Sequence, residues 1–148
     1  MVDAAQRREV FGRLLGQVAR HWRRAVDQRL QAYGLTEATW LPMLHLARAP
    51  QPMRQKALAA SLALDSSTVV RLLDALQSAG LIERREDPDD RRAKAIFLTA
   101  TGQALVAQVE ATSAEVRGAV LAGVGDAELE AAEAVLEKIL AALAEREG

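Results

Sequence analysis

Residues 64–99, LDSSTVVRLLDALQSAGLIERREDPDDRRAKAIFLT, decide the fold because they encode a helix, a β-hairpin and a basic loop in succession. Asp65 or Ser66 is a suitable helix N-cap, since a short side-chain oxygen accepts from the free N–H groups of the first turn. Apolar residues then recur at helical spacing up to Gly80, which ends the helix. They are Val69, Leu72, Leu73 and Leu76.

Two short strands follow this helix, at residues 81–84 and 95–98, and a polar loop at residues 86–94 joins them. The loop carries three basic residues, Arg91, Arg92 and Lys94. The outer face of the helix carries groups that can contact base edges and phosphates. They are Ser66, Ser67, Thr68 and Arg71. The pattern predicts a winged helix-turn-helix, a mainly α fold with a small β-hairpin that is suited to reading duplex DNA.

Amphipathic helices are predicted on both sides of this segment. Three precede it, at residues 4–32, 37–47 and 53–62, and two follow it, at residues 100–121 and 126–144. The last helix has apolar residues at a 3–4 spacing suited to packing against another helix. They are Leu129, Ala132, Leu136, Ile139 and Leu143. An intramolecular bundle or a second copy would bury these stripes, and we predict a homodimer because two-fold dimers are the commonest oligomers.

Charge is distributed unevenly along the chain, although the formal net charge is only −1. Residues 1–50 contain eight Lys and Arg against four Asp and Glu, and residues 51–100 contain eight against seven. Residues 101–148 contain three against nine. Either the acidic end packs away from DNA and leaves the rest free to meet phosphates, or its glutamates only solvate the last helix.

Several protein classes are excluded or disfavoured by the composition. The chain has no cysteine, which removes disulfides, thiolate metal sites and thiol redox sensing. We find no sequence motif of an enzyme active site, and His21 and His45 lack metal-ligand spacing, so we expect no catalysis, metal or cofactor. No apolar run approaches the roughly 20 residues of a membrane span and no secretory signal is evident, so we expect a cytoplasmic protein.

The chain resembles the MarR family of transcription regulators, in particular its SlyA-like branch. The segments LTEATWLPMLHLA (residues 35–47) and STVVRLLDALQSAGLIER (residues 67–84) are similar to family patterns. The most specific likeness is DRRAKAIFLT at residues 90–99 followed by Gly102, and the likeness spans residues 10–146. Ala63 departs from the pattern, which usually has glycine there; a left-handed alanine costs roughly 1 kcal/mol.

The resemblance implies one domain over residues 1–148, in which residues 1–34 and 100–148 form dimerisation helices and residues 35–99 form the winged DNA-binding region. It implies a homodimeric repressor or activator on a palindromic operator, with recognition helices in major grooves and wings in minor grooves. Arg91 matches the family's minor-groove arginine, and we expect Asp90 to hold its guanidinium. Arg92 and Lys94 are phosphate contacts or ordinary hairpin surface.

The resemblance also implies that a small aromatic or phenolic ligand releases DNA from a cavity between the dimer helices and the winged region. The polar-aromatic candidates for lining that cavity are His21, Trp22, Trp40 and His45. Each has an alternative: the tryptophans are suited to the core, and the histidines to ordinary interior or surface positions.

Ion pairs are a further alternative for the arginines. Arg71 is placed to pair with Asp74 or a neighbouring carboxylate, and either Glu83 or Glu86 is a possible partner of Arg84 and Arg85. The alternative function is a winged-helix protein-interaction module without operator specificity, whose binding would lack the salt dependence typical of DNA.

Overall fold

The computed structural model describes residues 1–148 as six α-helices and a two-stranded antiparallel sheet. This confirms the predicted mainly α fold with one hairpin, and no helix combines the length and apolarity that crossing a bilayer requires. The elements in chain order are α1 (Ala4–Gln31), α2 (Glu37–Arg48), α3 (Gln55–Leu62), α4 (Ser66–Ser78), β1 (Ile82–Asp87), β2 (Asp90–Leu98), α5 (Ala100–Val120) and α6 (Asp126–Glu147). The chain divides into two compact units, Met1–Ala114 and Glu115–Gly148.

Helix α1 is buried only near its C-terminal end. The Asp3 carboxylate caps the helix by accepting from the N–H of Gln6 at 2.8 Å, and Gly34, with a φ of 75°, follows its last turn. Val26 and Leu30 are buried within the first unit. The apolar residues nearer the N-terminus are exposed, namely Val10, Phe11, Leu14 and Val18. The single chain therefore leaves several apolar side chains in the N-terminal half of α1 uncovered.

Helices α3 and α4 are joined by a tight turn at Ala63. This alanine has φ 54° and ψ 43°, so the departure from glycine places an L-residue in the left-handed region. The predicted start of α3 at residue 53 is wrong, because Met53 lies outside the helix and its carbonyl accepts from the N–H of Ile96 at 2.8 Å. Arg54 forms a β-bridge with Ala95, so α3 begins only at Gln55.

The hairpin is longer than predicted, because most of the expected loop at residues 86–94 is strand. Only residues 88–89 form the turn. Glu86 pairs in register with Lys94, but Asp87 pairs with Asp90, so the three residues 91–93 have no partner on β1. Extra residues of this kind form a β-bulge, which bends the strand and re-aims its side chains.

The core of the winged part lies beneath α4 and the hairpin. The apolar stripe of α4 is confirmed: Val69 and Leu73 are fully buried, Leu76 is 3 % exposed, and Leu72 packs partly buried against them. The whole buried cluster consists of Met43, Leu46, Leu58, Ala59, Val69, Leu73, Leu76, Leu81, Ile82, Ile96 and Val106. This core fixes α4 and the hairpin base within one body.

A junction at Thr99 connects the hairpin to α5. The Thr99 hydroxyl donates to the carbonyl of Gly80 at 2.6 Å and accepts from the N–H of Gly102 at 3.0 Å, while the Thr99 N–H donates to the carbonyl of Leu81. A Cβ on Gly102 would lie 2.1 Å from the Leu81 carbonyl oxygen, so only glycine fits there.

The second unit contains the end of α5 and all of α6. The predicted break at residues 123–125 separates these helices, and the Glu128 carboxylate accepts from the N–H of Gly125 at 3.1 Å at the start of α6. No residue of α6 is buried. Leu136, Leu140 and Leu143 are 42 %, 66 % and 52 % exposed.

Candidate nucleic-acid interface

The N-terminal turn of α4 presents hydroxyl groups beside a fixed cap. The Asp65 carboxylate accepts from the N–H of Thr68 at 2.7 Å and from the hydroxyl of Ser67 at 2.9 Å. The Thr68 backbone N–H is the main cause that lowers the pKa of Asp65 below its usual value. Ser66 and Ser67 are exposed and Thr68 is half-buried. Because the Ser67 hydroxyl proton is directed to Asp65, Ser66 has the freer donor.

One turn further along α4, Arg71 is exposed and forms no ion pair within 4.0 Å. The alternative that Asp74 pairs with Arg71 is wrong, because the Asp74 carboxylate accepts from Nη2 of Arg84 at 2.6 Å. Its charge contributes to lowering the pKa of Asp65, but no carboxylate contacts the guanidinium, which is exposed near the hydroxyls of the first turn. This combination can contact phosphates and guanine edges.

The bulge in β2 carries two of the predicted basic residues, Arg91 and Arg92, and Lys94 follows it. All three are exposed and none forms an ion pair within 4.0 Å. The expectation that Asp90 holds the guanidinium of Arg91 is wrong. One Asp90 oxygen accepts from the backbone N–H of Arg92 at 3.0 Å, and the other lies 3.9 Å from Nη2 of Arg54. Asp90 thus stabilises the backbone of the bulge and does not contact the Arg91 side chain.

Arg54 neutralises carboxylates at the tip of the hairpin. Its Nε donates to Asp87 at 2.9 Å. The N–H of Asp89, and after it the Arg54 guanidinium, hold the pKa of Asp87 below its usual range. Our sequence reasoning missed this residue, although the acidic run EDPDD beside an expected phosphate contact was a signal that a cation must compensate it.

Arg84 and Arg85 lie next to each other on β1 and contact different partners. Arg85 pairs with Glu83 at 3.0 Å, as one alternative had it, and its guanidinium lies 4.5 Å from the centre of the Phe97 ring. Arg84 instead reaches α4, where it contacts Asp74 and donates from Nε to Gln77 at 2.7 Å. The predicted pairing of Arg84 with Glu83 or Glu86 is therefore wrong.

The two tryptophans line an open surface cavity of about 220 Å³ formed by α1, α2 and α5, in which Trp40 itself is only 2 % exposed. The Trp40 indole N–H donates to Asp27 at 2.9 Å, which fixes that ring. The lining residues are Ala19, Trp22, Arg23, Val26, Trp40, Leu41 and Ser113. The cavity therefore combines aromatic surface with one guanidinium.

The two histidines do not line this cavity. His21 is exposed on α1, and the Nδ1 of His45 lies 2.6 Å from the Ser61 hydroxyl. Partial burial, then the charges of Arg23 and Arg48, lowers the pKa of His45. Among residues 1–148, no group of three or more histidines and carboxylates is arranged to hold a metal ion.

The geometry of α4 and the hairpin agrees with what comparisons with known proteins show. Residues 33–93 match the sequence model of the MarR family. The transcriptional regulator PA3341, whose crystal structure is known, has 44 % sequence identity to this chain. The match covers 91 % of this chain and 98 % of PA3341, with a TM-score of 0.86.

Two further solved structures were determined with a bound molecule. CouR from Rhodococcus jostii RHA1, bound to p-coumaroyl-CoA, is 29 % identical over 87 % of this chain and 90 % of its own, with a TM-score of 0.77. MepR from S. aureus, solved as a complex with DNA, has 26 % sequence identity to this chain. The match covers 89 % of this chain and 97 % of MepR, with a TM-score of 0.74. The chain belongs to the MarR family of transcriptional regulators.

Proposed function

We propose that the chain is a homodimeric regulator that binds duplex DNA at a palindromic operator through α4 and the hairpin. The observation that supports this most directly is a set of exposed cations without ion pairs on both elements of one winged fold. They are Arg71, Arg91, Arg92 and Lys94. Phosphate attraction dominates the affinity of such complexes, and MepR, a similar protein, has been solved with DNA.

In this proposal α4 enters the major groove. Arg71 contacts a phosphate or a guanine edge, and the hydroxyl groups of Ser66, Ser67 and Thr68 contact phosphates and base edges. Their position at the N-terminal end of α4 supports these roles, because recognition helices contact bases with their first turns.

The hairpin reaches the minor groove. Arg91 enters it, because a narrow A·T-rich groove concentrates negative potential that attracts arginine. Arg92 and Lys94 contact phosphates on either side. Asp90 contributes indirectly, by accepting from the Arg92 N–H and so holding the bulge in shape. Arg54 supports the approach because it cancels negative charge on Asp87, which would otherwise repel the duplex.

A second copy of the chain covers the exposed apolar stripes of the terminal helices. Large apolar side chains on α1 and α6 are 42–66 % exposed in the single chain. Contiguous exposed apolar surface of this kind marks a protein interface. Successive major grooves of an inverted repeat lie about 34 Å apart, so the proposed two-fold dimer has to hold its two α4 helices at that spacing.

The tryptophan cavity holds a small aromatic or phenolic acid that changes the affinity for DNA. The half-buried Trp22 indole provides stacking surface, Trp40 lies buried behind it, and Arg23 provides a cation that a ligand carboxylate would share with Glu37, 3.7 Å away. CouR was solved with an aromatic acyl-CoA. The positions of His21 and His45 give them no direct contact in this cavity, so the proposal assigns binding to Trp22, Trp40 and Arg23.

Selection of bound duplexes from a random pool tests operator binding. We expect an inverted repeat to be enriched, and its affinity to fall log-linearly with salt by about 0.9 per neutralised phosphate. Arg91→Ala should weaken this binding about tenfold with an unchanged circular dichroism spectrum. Arg146→Ala, the same charge change on α6, should have little effect. A pool without enrichment and salt-insensitive binding would contradict the proposal and favour the protein-interaction module.

Titration with p-coumarate tests the cavity. We expect the tryptophan emission to change and operator affinity to fall, and Arg23→Gln should weaken both effects because it removes the carboxylate's partner. Constant emission and constant DNA affinity at millimolar p-coumarate would remove this part of the proposal.

A further inference from the structure

Arg84 forms the side-chain hydrogen bonds that link α4 to the hairpin. Its Nη2 donates to Asp74 at 2.6 Å and its Nε donates to Gln77 at 2.7 Å. Asp74 and Gln77 are three positions apart, so they lie on one face of α4. The Arg84 guanidinium, which belongs to β1, therefore contacts two neighbouring side chains on the same face of α4.

The position of this contact along the hairpin gives it a mechanical consequence. The base of the hairpin is held by apolar packing, since Ile82 and Ile96 belong to the buried core. Beyond that base the strands extend to the bulge at residues 91–93, where the segment before α3 also contacts them through the Arg54–Ala95 bridge and the Arg54–Asp87 ion pair. Arg84 pairs in register with Ile96, so its contact is made where the packed base gives way to the projecting part. The Arg84 side chain is only 26 % exposed.

We propose that Arg84 is a positioning residue, which fixes the spacing and angle between α4 and the hairpin without itself contacting DNA. The inference rests on the proposed function. Two elements that enter different grooves must fit the duplex together, and a hairpin held in place beforehand loses less conformational entropy on binding. Asp74 offsets the Arg84 charge, so the ion pair as a whole brings no net positive charge to a phosphate.

The alternative is a direct phosphate contact by Arg84, and the salt dependence of operator binding separates the two. The test variant is Arg84→Gln with Asp74→Asn, because this pair of changes breaks the ion pair and leaves the net charge unchanged. We expect operator affinity to fall about tenfold per dimer with an unchanged salt slope. A salt slope smaller by about 0.9 per protomer would overturn the inference and establish a phosphate contact.

The hairpin of the free protein provides a second readout that does not need DNA. We expect hydrogen exchange of the amides at residues 85–93 to become faster in the double variant, while the buried core amides and the melting temperature stay close to wild type. The matched control is Arg85→Gln with Glu83→Gln, which breaks the neighbouring ion pair on the same strand and should leave hairpin exchange unchanged.

The outcomes also separate this inference from the proposed function. If the wild type binds no duplex but hairpin exchange is still faster in the double variant, the operator proposal fails. The role of Arg84 in holding the hairpin against α4 is then still supported. If hairpin exchange and operator affinity are both unchanged in the double variant, the positioning role is wrong. Gln77→Ala, which removes one acceptor without any change of charge, should give a smaller effect in the same direction.

Discussion

Helices α4 and α6 are both amphipathic, but only α4 buries its apolar face within the chain. Leu73 of α4 is fully buried, whereas Leu140 of α6 is 66 % exposed. The sequence patterns of the two helices are alike in spacing, so periodicity alone does not tell which face is covered by the same chain. The difference indicates that the winged part is stabilised internally, whereas α6 buries none of its residues within the single chain.

The largest expected effect comes from the buried side of this comparison. Leu73→Ala should lower the free energy of unfolding by about 3–5 kcal/mol, because it removes a fully buried side chain and leaves a cavity. Denaturant unfolding followed by circular dichroism measures this. The loss should be the same at every protein concentration if α4 is stabilised within one chain; a loss confined to low concentration would contradict that.

A substitution on the exposed helix α6 should affect dimerisation and not the folding of the single chain. Leu140→Gln should weaken the dimer by about 2 kcal/mol over two symmetric copies, because apolar surface buried by the partner is lost. Sedimentation across a concentration series measures the dissociation constant. Helicity should be unchanged, since the side chain makes no buried contact within its own chain. A variant that dimerises like the wild type would show that α6 is not covered by a second copy.

A smaller effect is expected at the turn between α3 and α4. Ala63→Gly should raise the stability by up to about 1 kcal/mol, because Ala63 has a φ of 54° and glycine adopts that conformation without steric strain. Thermal unfolding measures the change. The matched control is Ala60→Gly within α3, which should destabilise instead, since glycine is a poor residue in a helix interior. Equal effects of the two substitutions would contradict strain at Ala63.

Much of the fold was predictable because it follows from local signals. The N-cap at Asp65, the apolar stripe of α4, the end of α4 near Gly80 and the break before α6 are set by neighbouring residues. The family resemblance extended this to the whole winged fold. The SlyA-like branch and the individual DNA and ligand contacts stay predictions.

The errors share one physical cause, which is pairing between distant residues. The later start of α3 goes with a hydrogen bond from Ile96 to the Met53 carbonyl. The added length of the hairpin depends on pairing across a polar sequence without alternation. The partners of Asp74 and Asp90 are likewise set by packing between elements. No local pattern identifies Arg84 or Arg54 as their partners, since several basic residues lie equally near in sequence.

The junction at Thr99 has a consequence for folding. One hydroxyl group contacts the end of α4 and the first turn of α5, and the adjoining backbone contacts the start of the hairpin. Each of these three segments is therefore bound to Thr99 by a hydrogen bond of its own, and the separation of any one of them from the junction breaks that bond. We expect them to open as one cooperative unit in native-state exchange, so that the hairpin acquires its lasting protection only when α5 has begun to form.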